Sequence, residues 1–238
     1  MAREFEIRRE LELPATPEEV WEAVATSAGN EAWLFPGLVD PEQAAVYEPP
    51  HRFVIRMEGE DGTVVNSIED VIEARAGGTT VLRYVHSGIM TDDWDNQYDA
   101  ADQHTDFYLH TLGQYLEHFK GRRATYIGGE SSEGLVGPES SSKPGSLDVL
   151  KRALGLNGDV AAGDTVRIEL EGLAPQEAVV DYATPHFLGL RANEGLVRFF
   201  GRDKWGAPTG MSGHLFADGI DKQRTEKAWQ AWLNGVFA

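Results

Sequence analysis

Residues 3–13 alternate strictly. Phe5, Ile7, Leu11 and Leu13 share one parity, and Glu4, Glu6, Arg8, Glu10 and Glu12 share the other. That period of two predicts a half-buried β-strand. The next segment, Pro14 to Glu19, is a helix start: Thr16 is placed to cap, Pro17 falls at the first helical position, and Glu19 closes a capping box. The helix runs to about Thr26, with Val20, Trp21 and Val24 on its buried side. Gly29-Asn30 then predicts a break, and Glu31–Phe35 a second short helix carrying Trp33, ended by Pro36-Gly37. Three alternating runs follow: Arg52–Glu58 with Phe53, Ile55 and Met57 on one face, Val64–Glu73 with Val64, Ile68 and Ile72, and Thr79–Ser87 with Leu82, Tyr84 and His86. Gly77-Gly78 marks the turn between the last two. After a loop at Gly88–Asp95, Tyr98, Ala101, Thr105, Tyr108, Leu112, Tyr115 and Phe119 recur at alternating spacings of three and four, the apolar stripe of a long helix.

The second half is patterned less strongly. Residues 123–146, above all the Gly/Ser/Glu/Pro-rich stretch 128–146, predict a flexible linker. A short helix is expected at Leu147–Leu154, capped by Ser146. Strands are expected at Thr165–Leu170, Val179–Tyr182, Phe187–Arg191 and Gly195–Phe200, and a closing helix from about Lys222 to Phe237 with Trp229, Trp232 and Val236 on one face. The halves share a faint echo. The first ends in a strand carrying His86, an Asp-rich loop and a helix; the second ends in Gly213-His214-Leu215-Phe216-Ala217-Asp218 and a helix. Two readings follow for residues 147–238: a degenerate copy of residues 1–122 that has lost the helices after its first strand, or a C-terminal extension packed on the first domain.

Composition bounds the class. The chain has 238 residues, 41% hydrophobic and 25% charged, enough for one large or two small domains with a proper core. No apolar run approaches the roughly 18 residues of a membrane span. The N-terminus is charged from its third residue, which argues against a signal peptide. With no cysteine, disulfides, thiolate metal sites and cysteine nucleophiles are excluded, and a cytoplasmic address fits. The net charge is −18. Such a surface repels phosphate backbones and anionic lipid, so neither nucleic acid nor membrane is an expected partner. The charge is uneven: residues 1–122 hold 24 acids and 9 bases, residues 123–238 hold 15 and 12. Solubility accounts for this, or else a basic partner docking on the first half.

The order strand, two short helices, strands, long helix is an α+β, helix-grip layout, an antiparallel sheet curved around a C-terminal helix. The segment Leu13–Val24 resembles the opening of the START-like (SRPBCC) superfamily, and in particular its activator of heat-shock protein 90 ATPase-like branch. Trp33 with Phe35-Pro36 is similar to that branch's Trp-centred second helix, Tyr47-Glu48-Pro49-Pro50-His51-Arg52-Phe53 to its E-P-P turn, and Thr80–Gly88 to its penultimate-strand ending. Asp92-Asp93-Trp94 and the long helix complete the likeness, over about residues 3–120. One departure is visible. Relatives have two strands between the second helix and the E-P-P turn, where this chain has only Gly37–Tyr47. The resemblance implies a cavity between sheet and long helix, used by relatives for apolar small molecules, and supplies no universal catalytic motif.

The informative side chains are polar residues on core parity. Arg9 falls on the Phe5/Ile7/Leu11 face, Asn66 and Asp70 on the Val64/Ile68/Ile72 face, and Tyr84 and His86 with Leu82. A buried charge needs a partner, so an Arg9–Asp70 pair is expected, either as a polar anchor in a pocket or as a structural ion pair. With Trp33, Phe53, Ile55, Ile68, Tyr108, Leu112 and Tyr115, these residues are the expected lining of a site for a small apolar ligand. The stripe residues Tyr108, Leu112, Tyr115 and Phe119 are also large enough to fill such a cavity. No catalytic set is complete. His86 is the one candidate for proton chemistry, with Asp92 or Asp93 as orienters, or else a strand-end histidine with a structural hydrogen bond. Six aspartates lie between 92 and 106, but without the glycine and closing glutamate of a calcium loop. His104, His110 and His118 lack the spacing that brings two metal ligands to one helix face. No metal, nucleotide or other cofactor is expected. Ligand binding leads; a chaperone-regulator type of protein-interaction module and a polyketide-cyclase-like enzyme are the alternatives, with monomer and dimer both open.

Overall fold

A computed structural model describes residues 2–59, 63–129 and 134–238. The chain divides into two compact units, Met1–Arg123 and Ala124–Ala238.

The first unit runs β1 (Arg3–Leu13), α1 (Pro17–Ala25), α2 (Ser27–Asn30), β2 (Val46–Glu48), β3 (Arg52–Glu58), β4 (Val64–Ala74), β5 (Thr80–Met90) and α3 (Trp94–His118). Its sheet has the order β1-β5-β4-β3-β2, with every pair antiparallel. First and last strands are neighbours, α1 and α2 fill the crossover between β1 and β2, and the long helix follows the last strand. This is the helix-grip arrangement, in an α+β fold.

Local chemistry explains the elements. The Thr16 hydroxyl accepts from Glu19 N at 3.3 Å, and the Glu19 carboxylate accepts from Thr16 N at 2.9 Å, so α1 opens with the expected capping box. α2 corrects the sequence reading: it lies at Ser27–Asn30, ahead of the helix expected at Glu31–Phe35, and Trp33 sits in the turn after it. Gly29 is no breaker. The Thr26 hydroxyl accepts from Gly29 N at 3.0 Å, and a Cβ on Gly29 would lie 1.8 Å from Glu22 O. Glycine is there because α2 abuts the backbone of α1. β5 extends to Met90, into the expected loop. The short run Gly37–Tyr47 yields a single 3-10 turn, Pro41–Gln43, and the three-residue edge strand β2. At its start α3 is pinned to β1: Trp94 Nε1 donates to Glu4 O at 3.2 Å, Trp94 stacks on Tyr98 at 4.8 Å, and Arg3 covers the indole at 4.1 Å.

Register aligns the polar residues of core parity into rows. Arg9, Tyr84, Asp70, Phe53 and Tyr47 stand opposite one another across all five strands. The next row is Ile7, His86, Ile68 and Ile55, and the one after it Phe5, Gly88, Asn66 and Met57. Cross-strand partners share a face, so one side of the sheet carries all of them.

The second unit runs β6 (Thr125–Ile127), β7 (Leu135–Val136), α4 (Ser146–Ala153), β8 (Thr165–Ile168), β9 (Gln176–Ala183), β10 (Phe187–Ala192), β11 (Gly195–Phe200), β12 (Gly210–Leu215) and α5 (Lys222–Val236). The order is β6-β12-β11-β10-β9-β8, with β7 also on β12. Again first and last strands are neighbours, the middle strands form a meander, and a helix follows the last strand. The second unit thus repeats the connectivity of the first, with more strands and a shorter final helix. One reading from sequence had such a copy losing the helices after its first strand; α4 stands between the early strands and the meander.

The linker reading is corrected where the structure describes it. Residues 130–133 lie outside the described residues, but β6 and β7 pair with β12. The small residues here serve close approach and hydrogen bonding. Gly134 has φ +78°, and a Cβ there would stand 2.3 Å from Met211 O. The Ser141 hydroxyl donates to Pro138 O at 2.7 Å and accepts from Thr209 N at 3.1 Å. Ser140 donates to Phe237 O at 2.7 Å. Nor does Ser146 cap α4: Gly145 does so at φ +83°, and the Ser146 hydroxyl accepts from Thr209 Oγ1 at 2.9 Å.

Candidate functional site

The core of the first unit is not completely filled. A partly open cavity of about 40 Å³ lies among β3, β4, β5, the α1–α2 region and α3. Its walls are Val24, Trp33, Leu34, Leu38, Val39, Phe53, Ile55, Ile68, Tyr108 and Leu109, and its polar atoms come from Asn30, Asp70, Tyr84 and Thr105. At roughly 10–15 Å³ per water this holds about three waters. Leu38, Ile55 and Ile68 also wall a larger groove of about 350 Å³, open to solvent and lined by Gly37, Asp40, Gln43, Arg56, Met57, Asn66 and Ser67. Met57 is 61% exposed at this rim.

Asp70 is the least expected feature. Its parity on β4 turns it inward, and it is 5% exposed. Its Oδ1 has no hydrogen-bond partner, and neither has the buried Oδ1 of Asn30 at the end of α2. Burial, and to a smaller degree the charge of Glu69, raise the Asp70 carboxyl to about 7. Tyr84 stands beside it in the row. Burial first, then the charge of Asp70, push its phenol up, against a hydrogen bond with Thr105. Trp33 is fixed by Nε1 donating to Ala23 O at 2.9 Å, and Tyr108 meets Phe35 edge-on at 6.2 Å.

The expected Arg9–Asp70 pair does not form. Arg9 reaches across to α3, with Nη2 at 2.8 Å from Asp102 Oδ1 and Nε at 2.5 Å from Asp106 Oδ1. The sequence reading placed these two aspartates in the Asp-rich run 92–106 and assigned them no partner. Their spacing of four along the helix places both within reach of one guanidinium, and this satisfies Arg9 without Asp70.

Of the other expected residues, Trp33, Phe53, Ile55, Ile68, Tyr84 and Tyr108 line the cavity, and Asn66 lines the groove. Three stand elsewhere. Leu112 is fully buried in α3. The Tyr115 hydroxyl accepts from Gly121 N at 3.2 Å and donates to Arg122 O at 3.3 Å, closing the end of the helix. His86 is held by Asn66, Nε2 to Oδ1 at 2.8 Å, and by Phe5 edge-on at 5.0 Å; burial lowers its pKa. Asp92 and Asp93 are exposed and orient nothing at His86. Asn30, Leu34, Leu38, Val39, Thr105 and Leu109 were missed, because α2 was misplaced and the face of α3 was drawn too narrowly. Among the described residues no group of three or more His, Asp or Glu could hold a metal ion. Among the described residues no helix is long and apolar enough to cross a membrane.

The second unit has a counterpart cavity of about 30 Å³ between sheet and α5, lined by Ile168, Leu170, Leu173, Val197, Leu215, Trp229 and three polar or small residues. The core around it holds Phe199 and Trp229, ring to ring at 5.8 Å, with Trp232 at 5.6 Å from Trp229.

These features define a helix-grip domain with a cavity and groove in its grip, followed by a second unit of the same connectivity. No family model and no curated protein matches the chain. Among solved structures, it is similar to the AHSA1-like protein of Rhizobium etli, at 23% identity and a TM-score of 0.37, covering 51% of this chain and 91% of that one. It is also similar over its whole length to two others. One is DynU16, from the dynemicin biosynthetic locus, at 16% identity and a TM-score of 0.39, covering 98% of this chain and 95% of that one. The other is the di-domain ARO/CYC protein BexL of the BE-7585A biosynthetic pathway, at 13% and 0.38, covering 98% of both chains.

Proposed function

We propose that the first unit binds a small, largely apolar molecule in the groove and the cavity behind it. One observation carries this reading. An open apolar-walled groove of about 350 Å³ shares three walls with an interior space that ends on a buried carboxyl with an unpartnered oxygen. Ligand sites combine apolar walls with a few placed polar groups. A buried carboxyl oxygen that no protein group satisfies costs about 1–3 kcal/mol or more unless a water or a ligand donates to it, which makes it a polar anchor for an occupant of the cavity. No catalytic role is assigned. His86 lines neither space, and its partner is an amide.

The test is native mass spectrometry of freshly purified protein with organic extraction, followed by titration with an environment-sensitive apolar dye. A stoichiometric adduct or saturable dye uptake is expected, with uptake lost in Ile68→Trp and Ile55→Trp, which close the shared wall. Folded protein that carries no adduct and takes up no dye refutes the reading.

A further inference from the structure

The unsatisfied atoms of residues lining the cavity are both acceptors, the Oδ1 of Asp70 and the Oδ1 of Asn30. What completes them is therefore a donor. Among the described residues no cation pairs with Asp70. Arg9, the base in the same cross-strand row, is held by Asp102 and Asp106 at 2.8 and 2.5 Å. The other titratable groups around the carboxyl are Glu69 beside it on β4, Tyr84 on β5, Tyr108 on α3 and, one row away, His86, which is engaged by Asn66. The α1–α2 region contributes the uncharged Asn30 to this cavity. Residues 1–122 carry 24 acids against 9 bases, a field that concentrates cations over anions, although Arg56 stands at the groove.

We propose that the ligand of the first unit is an apolar amine, its protonated nitrogen seated against Asp70 and its apolar body lying along Ile55 and Ile68 toward the groove. This rests on the ligand-binding reading above. A buried carboxylate facing an ammonium forms a charge-assisted hydrogen bond that neither a neutral isostere nor an anion reproduces. The empty site holds Asp70 partly protonated near neutrality. An ammonium binds the ionised form, so amine binding releases a proton and strengthens as pH rises through that range.

Four probes of one shape separate the possibilities: benzylamine, benzyl alcohol, toluene and benzoate, each titrated by NMR at pH 5.5 and 8.5. Benzylamine is expected to bind best, at least tenfold more tightly at pH 8.5 than at 5.5. In Asp70→Asn, an isosteric change that keeps the cavity, that preference and its pH dependence are expected to vanish while toluene binding persists. Benzyl alcohol binding as well as benzylamine, or toluene matching both, overturns the amine assignment and leaves the apolar site standing. If none of the four perturbs the resonances of cavity residues, the ligand-binding reading fails and the amine assignment with it.

Discussion

Removing the charge of Asp70 should stabilise this protein, and only above acid pH. The carboxyl titrates near 7 in the folded chain against 3.8 unperturbed. A raised acid means the native state binds the proton more tightly than the unfolded state. Below pH about 4 the group is neutral in both states and contributes nothing. Between about 4 and 7 the native state holds more protons than the unfolded one, so stability falls as pH rises, and the loss is complete above 7. A gap of roughly three pH units at 1.36 kcal/mol each amounts to about 4 kcal/mol. In Asp70→Asn this component is absent. The assay is urea denaturation of both proteins at half-unit steps from pH 4 to 8.5. Taking the difference cancels the contribution of the other carboxylates in this acidic chain. The stability difference should shift by about 4 kcal/mol in favour of Asn across that range, with its midpoint between the two pKa values. A difference that stays flat with pH, or one that favours Asp at high pH, would refute the burial argument and imply a cation on Asp70.

Other outcomes follow from the same geometry. Gly189→Ala should destabilise the second unit by about 2–4 kcal/mol, since a Cβ there would lie 2.2 Å from Asp181 Oδ1 and 2.8 Å from Arg198 Nη1, inside the buried Arg198–Asp181 ion pair; thermal unfolding measures it. Thr16→Ala removes half of the capping box and should cost about 1 kcal/mol in the same measurement, with Thr16→Ser restoring it. Arg9→Met should lower stability by about 1–3 kcal/mol at neutral pH, because it removes the guanidinium held by Asp102 and Asp106; an unchanged thermal midpoint would mean that the two ion pairs contribute nothing net.

Short-range rules made much of this molecule legible. A period of two placed β1, β3, β4 and β5 with their inward residues, the capping box placed α1, and the three-four stripe placed α3, because each depends on neighbours a few residues apart. The same rules failed at Gly29, at residues 134–146 and at Gly145. There glycine and serine serve a close helix approach, a left-handed cap or hydrogen bonds to other segments, and composition alone reads them as breaks or slack. The face of α3 was half seen: Tyr108 and Thr105 lie on the stripe, whereas Leu109, which lines the cavity, lies beside it.

Seven of the twelve site residues named from sequence line the cavity, and Asn66 lines the groove it adjoins. Parity determines which face a strand residue takes, and that is a property of the chain itself. What the chain by itself left open was partnership. Arg9 and Asp70 share a cross-strand row, and either could have satisfied the other. The packing of α3 brought Asp102 and Asp106 to Arg9 and left Asp70 alone at the end of a cavity. Ion-pair choice in a core depends on distances set by helix position, to which no local pattern is sensitive. Tertiary structure therefore decided the feature on which function is proposed here, a buried acid whose partner the protein does not provide.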